Sequence, residues 1–516
     1  MSWRGAAAPE HWAVLTVDLG TGGPKISLVT LDGTVHWSEF RPIRTEHPSA
    51  GRALQDAEEW WTQILSAARG ALDDGVMPAE WVRAVAVTGQ WSSTVPVDGE
   101  LATTGPCRLW LDTSAATHSK RVIGGPVLGY DPRRLAPWLR RTAGIPSPFG
   151  GDPVSHLLGF RHDEPEVHAA TRWYLEPVDF LTSRFAGRVS ASAASMSGAW
   201  LVDVRGDRLG YDEHLVALAG IDPTRLPPLS PSGGVVGPIA PAVAHSLGLS
   251  SDVVVVAGTP DLHSAWVGSG ALAHGRAHVS ISTTSWISCA VPFKKTDPIH
   301  SIATVPGLVP GEYLVADNHE AAGASLAWLS REVLGEDYDA LCALAATAPA
   351  GSNGTLFGPW LAGMRSPVDD RHARGMLVGM GLASTRADLV RAILEGVALQ
   401  SRSLLGPVEK FAGARFDALR ILGGGARSDL WCQIHADALA RRIERVADPM
   451  TAQSRGAALL AGVVLDVIDW ADVPGLVPVD RTFIPEPAAE RVYDRLASEL
   501  PKAYGGLKGV FARLRP

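Results

Sequence analysis

The chain has 516 residues, 46% of them hydrophobic and 19% charged, which is the balance of packed cores rather than disorder. That length exceeds what one core usually organises, so at least two domains are expected. A net charge of −8 argues against a nucleic-acid or anionic-membrane partner, because both favour a basic face. The four cysteines (Cys107, Cys289, Cys342, Cys432) lie far apart with no C-x-x-C pair, which argues against a zinc site or a disulfide framework and suits a reducing cytoplasm.

The opening "MSWRGAAAPEHW" holds no apolar core of about 7–15 residues and does not read as a signal peptide. No run approaches the ~18 apolar residues of a membrane span. "HWAVLTVDL", "PKISLVTLDG" and "TVHWSEFRPI" then read as three strands of an antiparallel meander. "DAEEWWTQILSAARGALDDG" reads as an amphipathic helix with Asp56 and Glu59 as a capping pair. "WVRAVAVTG" is a buried strand that ends at Gln90. Residues 120–250 are rich in Pro and Gly and read as irregular, with short helical pieces such as 213–220.

Strand character returns at 235–257, and a first domain is placed at 1–257. A second, 258–484, begins with strand, polar turn and strand in "AHVSISTTSWISCAVP". A long helix follows from a Thr385/Asp388 cap, with Gly406-Pro407 expected to stop it. "FDALRILGGGARSDLWCQIHADALARR" is a strand, a glycine turn and a helix capped by Ser428. Residues 485–516 read as a basic helical segment that packs back on the domains. The repeated strand–turn–strand theme predicts a duplicated α/β architecture with a cleft between its halves.

Four stretches could carry chemistry. In "TVDLGTGGPK", Gly20, Gly22 and Gly23 let backbone amides turn toward an anion, Thr21 adds a hydroxyl and Lys25 a charge. Asp18 makes sense beside phosphate only with a cation such as Mg²⁺ between them; otherwise the stretch is a hairpin turn. "SISTTSW" offers a hydroxyl-rich turn, or simply good strand formers. "GGGARSDLW" fits neither a dinucleotide fingerprint nor a P-loop. Its glycines either admit a flat ring or allow close strand–helix packing. In "AGTPDLHSAWVGSG", Asp261 follows a buried strand at a helix start, where α/β folds place ligands, or where an acid merely complements the helix dipole. His263 reads as a packing or surface histidine.

Together these residues resemble the FGGY family of carbohydrate kinases, in the actin-like ATPase superfamily. "VDLGTGGPKISLV", "VTGQ", "RLWLD", "WYLEPVDFLTSRFAG", "GTPDLHSAWVGSGA", "FGPWLAGMRSPVDDRHARGMLVGM" and "RILGGGARSDLWCQIHADAL" match its landmarks in order. The resemblance implies two duplicated actin-like (ribonuclease H-like) domains, with ATP and Mg²⁺ as cofactors. It implies Asp261 as general base and Asp18 on the magnesium. It places Thr21, Gly22 and Gly23, with Thr283, Thr284 and Ser285, on phosphate, and Gly424, Gly425 and Asp429 on the adenosine side. Gln90, Trp91, Trp110 and Asp112 fall on the sugar side. The implied acceptor is a ketose or polyol such as xylulose or ribulose; glycerol, erythritol or gluconate is the alternative, as is a catalytically weak nucleotide or sugar sensor. A homodimer remains one option for the assembly.

Three departures stand out. Thr283-Thr284 replaces the family's Gly-Thr, Pro24 sits in the first turn and removes one amide donor, and Trp91-Ser92 stands where xylulokinases read Met-His.

Overall fold

The structure, a computed structural model, describes residues 11–514 except 128, 207–209, 298–299 and 301, so the opening decapeptide lies outside the described residues. Among the described residues no helix is long and apolar enough to cross a membrane.

The first half is built on β1 (Ala13–Gly20), β2 (Gly23–Thr30) and β3 (Val35–Phe40), which form the expected antiparallel meander. Helix α1 (Ala57–Asp73) follows, with Asp56 accepting from the Glu58 amide at its N-terminus rather than pairing with Glu59. β4 (Val82–Gly89) then runs parallel to β1. The 120–250 region is more helical than its composition suggests, with α2 (Pro153–Asp163), α3 (Pro177–Ala186), the short α4 (Ala193–Met196) and a helix at Glu213–Ala219. α2 and α3 both start on proline, which the first turn tolerates because its missing N–H has no intrahelical partner there. The same prolines make the region read as irregular. β5 (Val235–Pro238), β6 (Val254–Val256) and β7 (Thr259–Pro260) complete a sheet ordered β5-β6-β4-β1-β2-β3, with β7 also paired to β4.

Helix α5 (Asp261–Ser269) leads to the second half, where β8 (Ala277–Ile281) and β9 (Ser285–Val291) flank the polar turn. β10 (Thr296–Asp297), β11 (Ile302–Pro306) and β12 (Tyr313–His319) extend this sheet beyond β9. α6 (Arg386–Ala412) has the predicted Thr385/Asp388 capping box but runs through Pro407 to Gly413. The proline costs a hydrogen bond, yet Leu404, Leu405, Val408 and Phe411 keep burying the same apolar face across it. β13 (Ala418–Leu422), α7 (Asp429–Leu439, capped by Ser428), β14 (Arg442–Val446), α8 (Ala452–Val464), β15 (Val479–Phe483) and α9 (Pro487–Arg513) complete the chain. α9 packs on the second half, where Tyr493 bonds Arg391 and Glu395 and Tyr504 bonds Asp370.

The second sheet is ordered β10-β11-β12-β9-β8-β13-β14-β15. Around β1 and β8 the two sheets share one plan: an antiparallel meander on one side, two parallel strands and an antiparallel edge on the other. The fold is thus mixed α/β in two domains, the duplication expected from sequence.

Two helices lie between the sheets. α8, late in the chain, puts Ala457, Ala458 and Ala461 against Val14, Val29, Ala84 and Val256 of the first sheet. α5 puts Leu262, Ala265 and Trp266 in one cluster with Ala290, Leu314, Leu422 and Val446 of the second. The helices cross at glycines: a Cβ on Gly268 would sit 1.8 Å from the Ala452 carbonyl, and one on Gly456 1.9 Å from that of Ser264.

Candidate functional site

Parallel pairing sets the first cluster. Asp18 lies in register with Thr88, Leu19 with Gly89, Thr259 with Thr88 and Pro260 with Gly89. The residues that leave these strands are the β1–β2 turn, Gln90 and Asp261, so all three stand at the carboxyl ends of neighbouring strands. The Gln90 amide donates to the Leu19 carbonyl at 2.7 Å, and the hydroxyls of Thr88 and Ser264 share a 2.5 Å bond that fixes α5 to β4.

The first turn is tight. Gly20 faces Gly23 across it, and Gly23 takes φ +134° where a Cβ would lie 2.0 Å from the Arg41 carbonyl. Thr21 and Gly22 form the turn itself, while Pro24 is already inside β2, buried and opposite Leu19. Pro24 therefore takes no donor from the turn, a correction to the expectation from sequence.

Asp261 opens α5, and its carboxyl is pushed up to about 7, mainly by burial and then by the charge of Asp18, against a lowering bond from the Leu262 amide. Asp18 is also raised by burial, while Lys25 draws it back from 3.7 Å. Two partly buried carboxylates thus face each other, the condition in which one of them holds a proton near neutrality.

Beside the first turn, Trp110 Nε1 donates to Thr21 Oγ1 at 3.1 Å, and that hydroxyl donates to Gln90 Oε1 at 3.4 Å. Gln90 is buried and its Nε2 has no protein partner among the described residues, which leaves amide donors for a ligand. Trp91 Nε1 donates to the Ser195 carbonyl at 2.6 Å, and its indole lies where a Cβ on Gly198 would come within 2.4 Å. The indoles are therefore pinned. Asp112 is different: Oδ1 accepts from Ser114 N and Oγ, Oδ2 accepts from Ala53 N, and the side chain is buried. It clamps the wall from behind.

Sequence reasoning missed what holds Trp91. Asp179 accepts from Ser195 Oγ at 2.7 Å and from Ser192 N, which fixes α4 and so the Ser195 carbonyl. Burial pushes its carboxyl to about 8. The Asp in "EPVDF" and the serines of "SASAASMSG" were visible, but nothing local paired them.

At the second sheet, the 282–284 turn and the 423–425 glycines leave the adjacent strands β8 and β13 at one end. Thr283 is exposed, and its carbonyl accepts from the Ala322 and Ala324 amides. Ser285 lies across from His319, buried, with no hydrogen-bond partner for its hydroxyl among the described residues. Gly423 and Gly425 serve close packing, since Cβ atoms there would fall 2.5 Å from the Ile281 carbonyl and 2.4 Å from its side chain. Gly424 is exposed with open space beside it. The Asp429 carboxylate is taken by Arg445 at 2.7 Å and by Arg481. Lys25 Nζ joins the two sets by donating 2.6 Å to the Met450 carbonyl. His263 is a buried packing residue bonded to the Pro306 carbonyl, with its ring pushed down to about 4 by burial.

Comparison with known proteins agrees with this geometry. The N-terminal domain pattern of the FGGY family of carbohydrate kinases matches residues 13–268 and the C-terminal domain pattern matches 282–465. The chain is 28% identical to a xylulose kinase from Staphylococcus epidermidis over 517 residues, covering 97% of this chain and 98% of that one. It is 30% identical to a glycerol kinase from Dechloromonas aromatica over 513 residues, 93% and 94% of the two chains. A ligand-bound xylulose kinase from Lactobacillus acidophilus shares the fold with a TM-score of 0.84 at 20% identity, over 98% of this chain and 100% of that one. Two domains with one strand plan, opposed carboxylates at the strand ends and this match over nearly the full length lead to one conclusion: the chain belongs to the FGGY family of carbohydrate kinases.

Proposed function

We propose that this carbohydrate kinase transfers the γ-phosphate of Mg-ATP to a hydroxyl of a ketose or polyol, with a pentulose such as xylulose or ribulose as its acceptor. The observation that carries the reading is Asp261 at the start of α5, facing Asp18, with its carboxyl held at about 7. A base of that strength takes the acceptor's proton near neutral pH as its oxygen attacks phosphorus. The amides of Thr21, Gly22 and Gly23 and the turn at Thr283 and Thr284 receive the phosphates from opposite halves, and Gly424 offers its open face to the adenosine. Gln90, Trp91 and Trp110 orient the acceptor: the Gln90 amide donates to its hydroxyls and the pinned indoles cover its C–H faces. Similarity to a xylulose kinase over nearly the whole chain supports a pentulose.

The donor set fits a divalent cation, because two facing carboxylates beside a polyphosphate are the arrangement such an ion relieves. Asp18 is the residue that would touch such an ion, carried in on the nucleotide. Such an ion would supply charge neutralisation for the transferring phosphoryl group.

The test is ADP release by the purified chain with Mg-ATP against ketoses, polyols and sugar acids. Turnover on pentuloses supports the proposal, and turnover on glycerol or gluconate alone moves the acceptor. Nucleotide binding with no turnover on any acceptor overturns the kinase reading in favour of a sensor.

The pH profile carries a sign. The base must be ionised, so kcat/KM should rise tenfold per pH unit below about 7 and level off above it. Folding shows the opposite trend: because the Asp261 pKa rises from 3.8 unfolded to about 7 folded, its contribution to stability falls as pH climbs through that window. A kcat/KM flat from pH 5 to 8 would remove Asp261 as base.

Trp91→Phe keeps the aromatic face but loses the 2.6 Å bond to Ser195. The acceptor KM should rise by about 3–10-fold with the ATP KM unchanged. Equal changes in both would show that Trp91 is not part of an acceptor wall.

A further inference from the structure

The turn that follows β14 takes donors from three directions. The Ala447 carbonyl accepts from Arg455 Nη1 at 2.7 Å, the Pro449 carbonyl from the Gly423 amide at 2.8 Å, and the Met450 carbonyl from Lys25 Nζ at 2.6 Å. These donors belong to α8, to the glycine loop and to the first hairpin, where Lys25 also lies 3.7 Å from Asp18. Asp448, between the first two acceptors, sits at φ +46°, ψ +61°, a left-handed conformation that strains any side chain more than glycine, aspartate less than most.

Arg455 holds the first of these acceptors. Its side chain is buried at 2% exposure on α8, where an apolar residue would pack without the desolvation of a guanidinium. Its Nε donates 2.7 Å to the Gly33 carbonyl in the β2–β3 turn, so one rigid planar fork bonds both sheets. The Gly33 end is fixed as well, since a Cβ there would lie 2.3 Å from the Leu476 carbonyl. Nη2 lies 3.8 Å from the Asp448 carboxylate, which is largely in solvent.

We propose that the 447–450 turn is the joint that keeps the nucleotide-side glycines in register with the Asp18 hairpin, and that Arg455 is the positioning residue that sets it. This rests on the reading of Gly424 and the first turn as nucleotide contacts. The acceptor wall hangs on separate bonds within the first half, among Gln90, Trp110, Trp91, Ser195 and Asp179, so a loosened joint should be felt by the nucleotide and not by the acceptor.

The experiment uses the full chain with Arg455→Met, Arg455→Lys, Asp448→Ala and Asp448→Gly. ATP binding is followed by calorimetry, and the KM values for ATP and acceptor are measured separately. Arg455→Met should weaken ATP binding and raise the ATP KM by about tenfold, with the acceptor KM unmoved. Arg455→Lys, which keeps a charged donor, should recover part of that loss. Asp448→Ala should bind ATP more weakly than Asp448→Gly, which accepts φ +46° without strain, and this exposed pair still decides the matter if Arg455→Met does not fold. ATP binding that is the same in wild type and all variants, or KM values for ATP and acceptor that rise together, would overturn the proposal. Wild-type protein that binds no ATP would instead overturn the nucleotide reading beneath it.

Discussion

Asp261→Asn is expected to lower kcat by about 10²–10⁴-fold while ATP still binds, the loss typical of a missing general base. Asparagine has the same shape and keeps its place at the start of α5, but it cannot accept the acceptor's proton. It also removes the negative charge that faces Asp18 and raises that pair's proton affinity, so nucleotide affinity should be equal or tighter. The check is steady-state kinetics beside a direct nucleotide titration. A variant that turns over within a few-fold of wild type would mean the proton leaves by another route. A variant that loses ATP binding as well would mean Asp261 shapes the nucleotide site rather than the chemistry.

The second large effect concerns stability. Gly456→Ala places a methyl 1.9 Å from the Ser264 carbonyl and 2.7 Å from the Gly268 amide, and Gly268→Ala places one 1.8 Å from the Ala452 carbonyl. Backbone atoms cannot rotate away, so α5 and α8 must part and strip contacts from the apolar clusters on both sides of them. The cost should exceed the ~1–3 kcal/mol of ordinary overpacking, seen as a lower denaturation midpoint or as loss of soluble protein. The contrasting substitution is Gly505→Ala in the exposed interior of α9, where nothing lies within 4 Å of the new methyl. It should stabilise by about 0.4–1 kcal/mol. An unchanged midpoint for Gly456→Ala would show that the crossing is looser than its geometry.

Much of this was legible in the order of residues. The meander, the capped helices and the turns at 20–23, 282–284 and 423–425 are local signals, and local chemistry places them. Asp18 and Asp261 were readable because each ends an apolar strand. What could not be read depends on partners far away in the chain. Pro407 looks like a stop until the packing of Leu404 and Phe411 shows why the helix continues. The Ala53 amide that reaches Asp112 lies 59 positions away. Asp429, placed on the adenosine side from sequence, is bonded by Arg445 and Arg481 from strands that come later. The bonds of Lys25 to Met450 and of Arg455 to Gly33 each span more than 400 positions, beyond any local pattern.

The glycine crossing also has a mechanical consequence. Asp261 stands seven residues ahead of Gly268 on one helix, a lever of about 10 Å at ~1.5 Å per residue. If the halves turn about the point where the backbones touch, a swing of about 10° carries the Asp261 carboxylate by nearly 2 Å, when misplacement by about 1 Å can already cost 10²-fold in rate. Because Pro260 and Ser264 tie the Asp261 end to β4 of the first half, the swing is felt as a displacement against the second half's turns, so the carboxylate lines up with what those turns hold only near one angle between the halves.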